Sequence, residues 1–200
     1  FSEYFRVPER NAVKIDAQVS WEAAAIIPDA LASTYHATMQ RGRIQAGETV
    51  VVVGGGDVAM DACRVAKRLP GCKTVKVVYR RGPDEIPARK IELHHALKEE
   101  VEFVYNTLQT RVQITEDGLR LSCVRTQAGV LDQDGRSTPV VVEGSDHDIT
   151  CDMVIAAVGQ KGECAELEAH DLMDSDRVRA EFSSMRTADP KVFAAGDGAF

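Results

Sequence analysis

Residues Thr49 to Ala59 read TVVVVGGGDVA, and this stretch decides the fold. A continuous run of β-branched residues is typical of a strand that is buried on both faces, as in a parallel sheet. The glycines that follow permit a tight turn. Apolar residues then recur with helical spacing from Val58 to Leu69, until Pro70-Gly71 ends the helix. The pattern predicts a strand, a glycine turn and a helix in direct succession.

A second β-branched strand over residues 74–79 completes a β-α-β unit of about 30 residues, the size that dinucleotide-binding units require. Gly54, Gly56 and Ala59 match the pattern G-x-G-x-x-A. In this pattern the first glycine permits the turn, the second lets a pyrophosphate approach the backbone, and the small third residue packs the helix on the strand. The helix beginning near Asp57 offers unpaired N–H groups and its positive dipole end to phosphates. A purely structural glycine turn is the alternative.

Beyond this unit the pattern changes from parallel to antiparallel. The segment Glu116-Asp117-Gly118 separates two short alternating runs, which is typical of a hairpin. The further predicted elements are a helix at about 88–99 and strands at 101–105, 111–115, 119–126, 139–143, 153–158 and 191–195. We therefore predict an α/β fold: a Rossmann-like dinucleotide-binding domain with a parallel sheet, helices on both faces and an antiparallel β-meander insertion.

Composition narrows the partners. Hydrophobic residues make up 44% of the chain and charged residues 28%, as in a globular protein. The net charge of -7 argues against nucleic acid or a membrane surface as the main partner. The five cysteines form no C-x-x-C pair, so they give no support to a metal site, and they fit a reducing cytoplasm. No G-x-S-x-G motif is present, and we predict no catalytic nucleophile.

The residues after the second strand distinguish NADP from NAD. Sites for NAD place an acidic residue there for the ribose 2′-hydroxyl, whereas sites for NADP place arginine near the 2′-phosphate. Here the strand leads directly into Arg80-Arg81, whose guanidinium groups suit a phosphate. We therefore expect NADP(H). Asp84 or Glu85 in an NAD-type role is the alternative, with the arginines merely solvated.

Several motifs carry a resemblance to a known family. They are residues 54–61 (GGGDVAMD), 78–81 (VYRR), 85–88 (EIPA), 91–92 (IE), 99–103 (EEVEF), 154–160 (VIAAVGQ), 187–190 (TADP) and 192–197 (VFAAGD). These motifs and their order along the chain resemble those of the small (beta) subunit of NADPH-dependent glutamate synthase. They are equally similar to relatives such as the flavin and NADPH portion of dihydropyrimidine dehydrogenase. The resemblance covers roughly residues 29–200.

The resemblance implies two dinucleotide-binding domains, one for FAD and one for NADPH inserted within it, with electrons passing to FAD and on to iron–sulfur centres. It implies that Gly196-Asp197 binds the ribityl–pyrophosphate part of FAD and that Asp61 contacts the nicotinamide carboxamide. A surface ion pair between Asp61 and Arg64 is the alternative. The family's glycine before Val101 is absent, which predicts a shorter turn there.

The FAD domain's own glycine motif and the cysteine clusters of this family are missing, so the chain looks like an excised inner domain. We assign residues 1–28 to a linker or part of a parent FAD domain, 29–189 to the NAD(P)H-binding domain and 190–200 to the returning FAD segment. The predicted partners are that parent domain and an iron–sulfur or large catalytic subunit. A non-catalytic dinucleotide-sensing regulatory module is the competing function. The predicted cofactor-binding residues are Gly54, Gly55, Gly56, Asp57, Val58, Asp61, Arg80, Arg81, Val158, Gly159, Gly196 and Asp197.

Overall fold

A computed structural model describes residues 14–27, 32–132, 135–159, 165–174 and 177–194. The described residues form two compact units, one up to Val158 and the other from Gly159 onward. The domain boundaries at 28/29 and 189/190 stay predictions.

The strands of the first unit belong to a parallel and an antiparallel sheet. They are β1 Thr49–Val53, β2 Thr74–Val78, β3 Glu102–Val104, β4 Thr107–Thr115, β5 Gly118–Leu131, β6 Ser137–Val141, β7 His147–Cys151 and β8 Met153–Ala156. The parallel sheet has the order β3-β2-β1-β8. Strand β1 is therefore an inner strand with β2 and β8 as its neighbours, as its continuous β-branched run predicts.

The helices of the first unit are α1 Trp21–Ile26, α2 Ala32–Tyr35, which continues as a π-helix His36–Arg41, α3 Asp57–Arg68 and α4 Lys90–Lys98, with a 3₁₀ turn at Pro83–Glu85. The buried side of α3 consists of small and flexible residues, among them Ala59, Met60 and Ala66. Its last turn carries Lys67 and Arg68, which favour the negative end of the helix dipole. Among the described helices, none is long and apolar enough to cross a membrane.

The parallel sheet has a different cover on each face. Val50, Val52 and Val77 point to one face and pack with Met60 of α3 and Ala96 of α4. The alternate residues of the same strands point to the other face and pack with the antiparallel sheet; they are Val51, Val53 and Val78, against Leu121, Cys123 and Cys151. The predicted fold class is confirmed, with one layer different. In the described residues the second face is covered by the meander where helices were expected, because the inward residues of β5 and β7 are apolar.

The antiparallel sheet is larger than the sequence pattern predicts. The hairpin of β4 and β5 is confirmed, and β5 continues to Leu131, pairing with both β6 and β7. Strand β7 was not among the predicted strands. Its first residues, His147 and Asp148, are polar, so the sequence pattern does not indicate that Ile149 and Cys151 belong to a strand. This strand completes the cover over β1.

The second unit contains α5 Ala165–Glu168 and the antiparallel pair β9 Met173–Asp174 and β10 Arg177–Val178. The strand predicted over residues 191–195 is reduced to an isolated bridge between Phe193 and Arg186, and its last residue lies outside the described residues.

The end of α4 shows how the chain turns where the family's glycine is missing. Glu100 N–H donates to Leu97 and Val101 N–H donates to Ala96, both at 3.1 Å, which is the Schellman pattern. This pattern places Glu100 in the left-handed region, with φ of 59°. Glu100 thus occupies the conformation that glycine adopts without strain. The shorter turn stays a prediction.

The substitution Glu100→Gly is expected to stabilise the protein. Removing the side chain relieves the left-handed strain, and we expect a gain of about 1 kcal/mol in the free energy of unfolding, measured by urea titration. Lys98→Gly is the matched control within the same helix, and it should cost about 1 kcal/mol. A loss of stability in Glu100→Gly would contradict this account.

Candidate nucleotide-binding site

The carboxyl end of β1 lies between two parallel neighbours, β2 on one side and β8 on the other. Gly54 N–H donates to Val78 O at 3.0 Å, and Ala157 N–H donates to Val53 O at 2.8 Å. The glycine turn is therefore fixed to the ends of both neighbouring strands. Ligands of open α/β sheets bind outside the carboxyl ends of the strands, where the chain departs in opposite directions from adjacent strands.

Gly54 is required by the fold. Its φ is 136°, a conformation that residues with a side chain rarely adopt. A Cβ placed there would lie 2.2 Å from the carbonyl oxygen of Ala157. The first glycine of the motif therefore permits β8 to lie against the turn.

Gly55 is held by the loop that follows β2. A Cβ at Gly55 would lie 2.6 Å from the ring of the buried Tyr79. Ala88 N–H donates to Gly55 O at 3.0 Å, and the Tyr79 hydroxyl donates to Glu85 O at 2.8 Å. The aromatic ring therefore links the glycine turn to residues 79–85, which we call the arginine loop.

Gly56 differs from its neighbours because its α-carbon faces open space. A Cβ there would meet no atom within 4 Å, and φ is an ordinary -84°. Gly56 is also the N-cap of α3 and provides no side-chain cap. The N–H groups of Ala59 and Met60 donate to Gly56 O, and the first N–H groups of the helix precede them without an intrahelical acceptor. The space and the free donors suit an anion.

Asp57, the first residue of α3, pairs with Arg89, a residue that the sequence analysis did not predict to be part of the site. Arg89 donates to the Asp57 carboxylate twice, from its backbone N–H at 2.9 Å and from Nε at 3.1 Å. The guanidinium is largely exposed. This pairing balances the charge of Asp57 at a helix end where an anion would otherwise be repelled. No local pattern marks Arg89, because it reaches Asp57 only through the packing of the segment before α4 on the glycine turn.

The two predicted arginines have different surroundings. Arg80 is exposed, and its side chain forms no ion pair or hydrogen bond with any described residue. The Arg81 side chain is only 10% exposed; Nε donates to Ser137 O at 2.7 Å, and Nη2 lies 3.7 Å from Asp132 Oδ2. Of the pair, Arg80 is the guanidinium that is available to a ligand.

The acidic residues of the arginine loop also differ. The Glu85 carboxylate accepts hydrogen bonds from the hydroxyl and the N–H of Ser137 and from Gly82 N–H. The bond from the Ser137 hydroxyl is the main cause that lowers the pKa of Glu85. Asp84 is exposed. The carboxylate of Glu85 is thus occupied within the protein, which leaves Asp84 for the alternative NAD-type role.

Asp61 lies one helical turn beyond Asp57 and is half-buried. The predicted alternative, an ion pair with Arg64, is not found in the described part of the chain. The Arg64 guanidinium instead contacts Glu92 at 2.5 Å and Glu99 at 3.1 Å on α4. Burial, followed by repulsion from Glu92, raises the pKa of Asp61. Among the described residues the Asp61 carboxylate therefore has no ion-pair partner, and it is partly desolvated, one helical turn beyond the first residue of α3.

The remaining predicted residues are apolar or glycine. Val58 and Val158 are both exposed, at 64% and 65%, and they lie on α3 and just after β8. Gly159 begins the second unit with a left-handed φ of 89°. Gly196 and Asp197 lie outside the described residues.

The described cysteines are unpaired thiols. Burial raises the pKa of Cys63 to about 12 and that of Cys123 to about 11. Such thiols stay protonated at neutral pH, so neither is a nucleophile. Within the described ranges, no group of three or more metal-ligating side chains is found.

Comparisons with known proteins identify the family. A family model described as Pyridine nucleotide-disulphide oxidoreductase matches residues 18–200. The glutamate synthase [NADPH] small chain of Escherichia coli (strain K12) is 36% identical over 76% of this chain and 34% of its own length. The NADP(+)-dependent formate dehydrogenase subunit beta of Moorella thermoacetica is 34% identical over 76% of this chain and 22% of its own length. The chain thus spans about a third or less of these relatives.

Solved structures show the same fold at low sequence identity. Thioredoxin reductase from T. acidophilum has a TM-score of 0.63 and 19% identity over 84% of this chain and 52% of its own. Mycobacterium tuberculosis FprA in complex with NADPH has a TM-score of 0.54 and 18% identity over 72% of this chain and 45% of its own. The predicted fold and the resemblance to glutamate synthase small subunits are confirmed, and the chain belongs to the pyridine nucleotide-disulphide oxidoreductase family.

Proposed function

We propose that this chain is the NADPH-binding domain of a flavin-dependent oxidoreductase resembling the glutamate synthase small subunit. In this proposal it binds NADPH and presents the nicotinamide to FAD held by a parent FAD domain. Electrons then pass to iron–sulfur centres or to a partner subunit. The observation that carries the proposal is the open glycine turn at the N-terminus of α3 beside the exposed Arg80.

The pyrophosphate fits the first turn of α3. Gly56 leaves room for it, and the unpaired N–H groups of the helix donate to its oxygens. Arg89 keeps the charge of Asp57 balanced at the same point. Because the cradle consists of backbone donors, this part of the site binds NADH and NADPH alike.

The adenosine end lies toward β2 in this arrangement. Arg80 follows that strand, where the 2′-phosphate of NADP lies in dinucleotide-binding folds. Its guanidinium would donate to the phosphate oxygens. The occupied carboxylate of Glu85 supports NADP rather than NAD, since it is not free to accept from a ribose hydroxyl.

The nicotinamide end lies toward Val58, Asp61 and Val158. NADPH supplies the hydride when bound, and the protein supplies position and electrostatics. The exposed valines offer apolar surface to a ring, and Asp61 is an acceptor for the carboxamide. Gly159, Gly196 and Asp197 remain proposals from the family resemblance, the last two as contacts to FAD.

The curated relatives support this proposal through their names, which include NADPH or NADP(+) and describe chains or subunits of larger enzymes. The free thiols of the four described cysteines fit a reducing compartment, in line with the predicted cytoplasmic location.

The Asp61 carboxylate is expected to lower the stability of the domain and to strengthen nucleotide binding. Asp61→Asn removes a charge that burial and Glu92 disfavour, so the free energy of unfolding should rise at pH 7. Solvent screening of a half-buried group limits the gain to about 0.5 kcal/mol. The gain should disappear below pH 3.8, where the carboxyl is protonated in both states.

Asp61→Ala, which also removes the acceptor, should weaken NADPH and NADH by the same factor, on the order of fivefold. Urea titration at two pH values and nucleotide titration measure the two effects. Unchanged affinities would mean that Asp61 has no contact with the nicotinamide.

The proposed function predicts a coenzyme preference in the chain itself. Titration with each nucleotide, followed by NAD(P)H fluorescence, should give an affinity for NADPH that is about tenfold to a hundredfold higher than for NADH. Equal affinities would contradict the proposal.

The reduction of flavin distinguishes a domain of an enzyme from a dinucleotide-sensing module. The isolated chain should be pale and inactive as a reductase, whereas NADPH added to the flavin-loaded parent should bleach its visible absorption. A parent that binds NADPH without flavin reduction would favour the sensing module.

A further inference from the structure

The arginine loop is held by hydrogen bonds on two sides. Three backbone hydrogen bonds and one from a side-chain hydroxyl hold the main chain of the loop on the side of β3, β4 and β5. Tyr79 N–H donates to Val104 O, Thr107 N–H to Tyr79 O, and Asn106 N–H to Arg81 O, each at 3.0 Å. The Thr126 hydroxyl donates to Arg80 O at 2.8 Å. The main chain at Arg80 is thus set by the fold, while its side chain stays exposed.

The other side of the loop is held by Ser137, the first residue of β6. Ser137 is buried and accepts from Arg81 Nε through its carbonyl at 2.7 Å. Its N–H donates to Glu85 Oε1 at 3.2 Å, and its hydroxyl donates to the same oxygen. One residue of the antiparallel sheet therefore bridges Arg81 and Glu85, four positions apart in the loop.

This bridge determines which charges face solvent. The Asp132 carboxylate lies beside Arg81, and the Glu85 carboxylate is bonded to Ser137, so the charge of Arg81 is balanced by groups of the protein itself. Arg80 is left as the uncompensated charge of the arginine pair. If the Ser137 hydroxyl were removed, Glu85 would keep only the longer bonds from the N–H groups of Ser137 and Gly82, at 3.2 and 3.3 Å, and its carboxylate would be freer to turn to solvent in the loop that carries Arg80. A free carboxylate there repels a 2′-phosphate and accepts from a 2′-hydroxyl.

Resting on the proposed function, we propose that Ser137 is a specificity-determining positioning residue. It withholds the Glu85 carboxylate from the adenosine end of the site, and so it sets the preference for NADPH without touching the nucleotide. The antiparallel sheet is thereby part of the coenzyme-selecting machinery, although it carries none of the nucleotide-binding motifs.

The test is the ratio of the NADH and NADPH dissociation constants. Ser137→Ala should lower the preference for NADPH on the order of tenfold, by weakening NADPH and strengthening NADH. Ser137→Thr, which keeps the hydroxyl, should keep the wild-type ratio. Ser137→Ala combined with Glu85→Gln should restore it, because the carboxylate charge is gone.

Two outcomes separate this inference from the proposed function. A wild-type chain without NADPH preference overturns both. A wild-type preference that survives in Ser137→Ala, or equal weakening of both nucleotides, overturns the role of Ser137 alone.

A second variant covers the case in which circular dichroism shows that Ser137→Ala is unfolded. Glu85→Asp keeps the charge, and its carboxylate is one methylene too short to reach the Ser137 hydroxyl. It should lose the preference to the same extent, and an unchanged ratio in this variant overturns the inference.

Discussion

Replacing Gly56 by alanine is expected to weaken NADPH and NADH together, by about tenfold or more, while the domain stays folded. The Cβ of alanine at this position meets open space and an ordinary φ, so the cost to stability is that of a poorer N-cap, about 1 kcal/mol or less. The same methyl group stands where the pyrophosphate must approach the first turn of α3. Urea titration and nucleotide titration on one variant measure both quantities.

Gly54→Ala is the matched substitution within the same turn. Here the methyl group would lie 2.2 Å from Ala157 O, and φ is 136°, so we expect a loss of more than about 3 kcal/mol or failure to fold. The pair therefore separates a glycine that the fold needs from a glycine that the ligand needs. If Gly56→Ala leaves both affinities unchanged, the turn is structural only and the pyrophosphate binds elsewhere.

The parts of this fold that the sequence predicted are those with strong local signals. The β-branched run of β1, the glycine turn and the amphipathic α3 follow one another without interruption, and β1, α3 and β2 lie where predicted. The remaining parts of the fold depend on tertiary packing. The second face of the sheet is covered by β5 and β7, and nothing in the local pattern of β7 shows that Ile149 and Cys151 point toward β1.

The site was predictable to the same extent. Glycine positions in a motif can be located from sequence because their spacing is fixed by the turn. The side-chain directions of Arg80 and Arg81 cannot be predicted from sequence, because these two adjacent arginines differ only in the residues that surround them in the fold. Ser137 lies 56 positions from Arg81 in the chain, and its contact with Arg81, together with that of Asp132, makes Arg81 a structural residue. Arg89 was missed for the same reason.

The two arginines should therefore respond differently to substitution. Arg80→Ala removes a charge-assisted contact to the 2′-phosphate, worth about 1.5–3 kcal/mol, so NADPH affinity should fall about tenfold to a hundredfold. NADH affinity should hardly change, because the pyrophosphate and nicotinamide contacts remain. Arg81→Ala should instead lower the free energy of unfolding, since it leaves Ser137 O without its donor.

The exposure of Arg80 supplies an independent check. Exposed charges are screened by salt, so raising the ionic strength from 0.05 to 0.5 M, on the order of a tenfold increase, should erode the NADPH preference of the wild-type chain. Salt should hardly change the ratio of NADPH and NADH affinities in the Arg80→Ala variant. Arg80→Lys should retain part of the preference, because the lysine ammonium is still a positive point charge. If Arg80→Ala weakens NADH as much as NADPH, Arg80 does not contact the 2′-phosphate. The exposed Asp84 would then be the residue to test as the acceptor for the ribose of NAD.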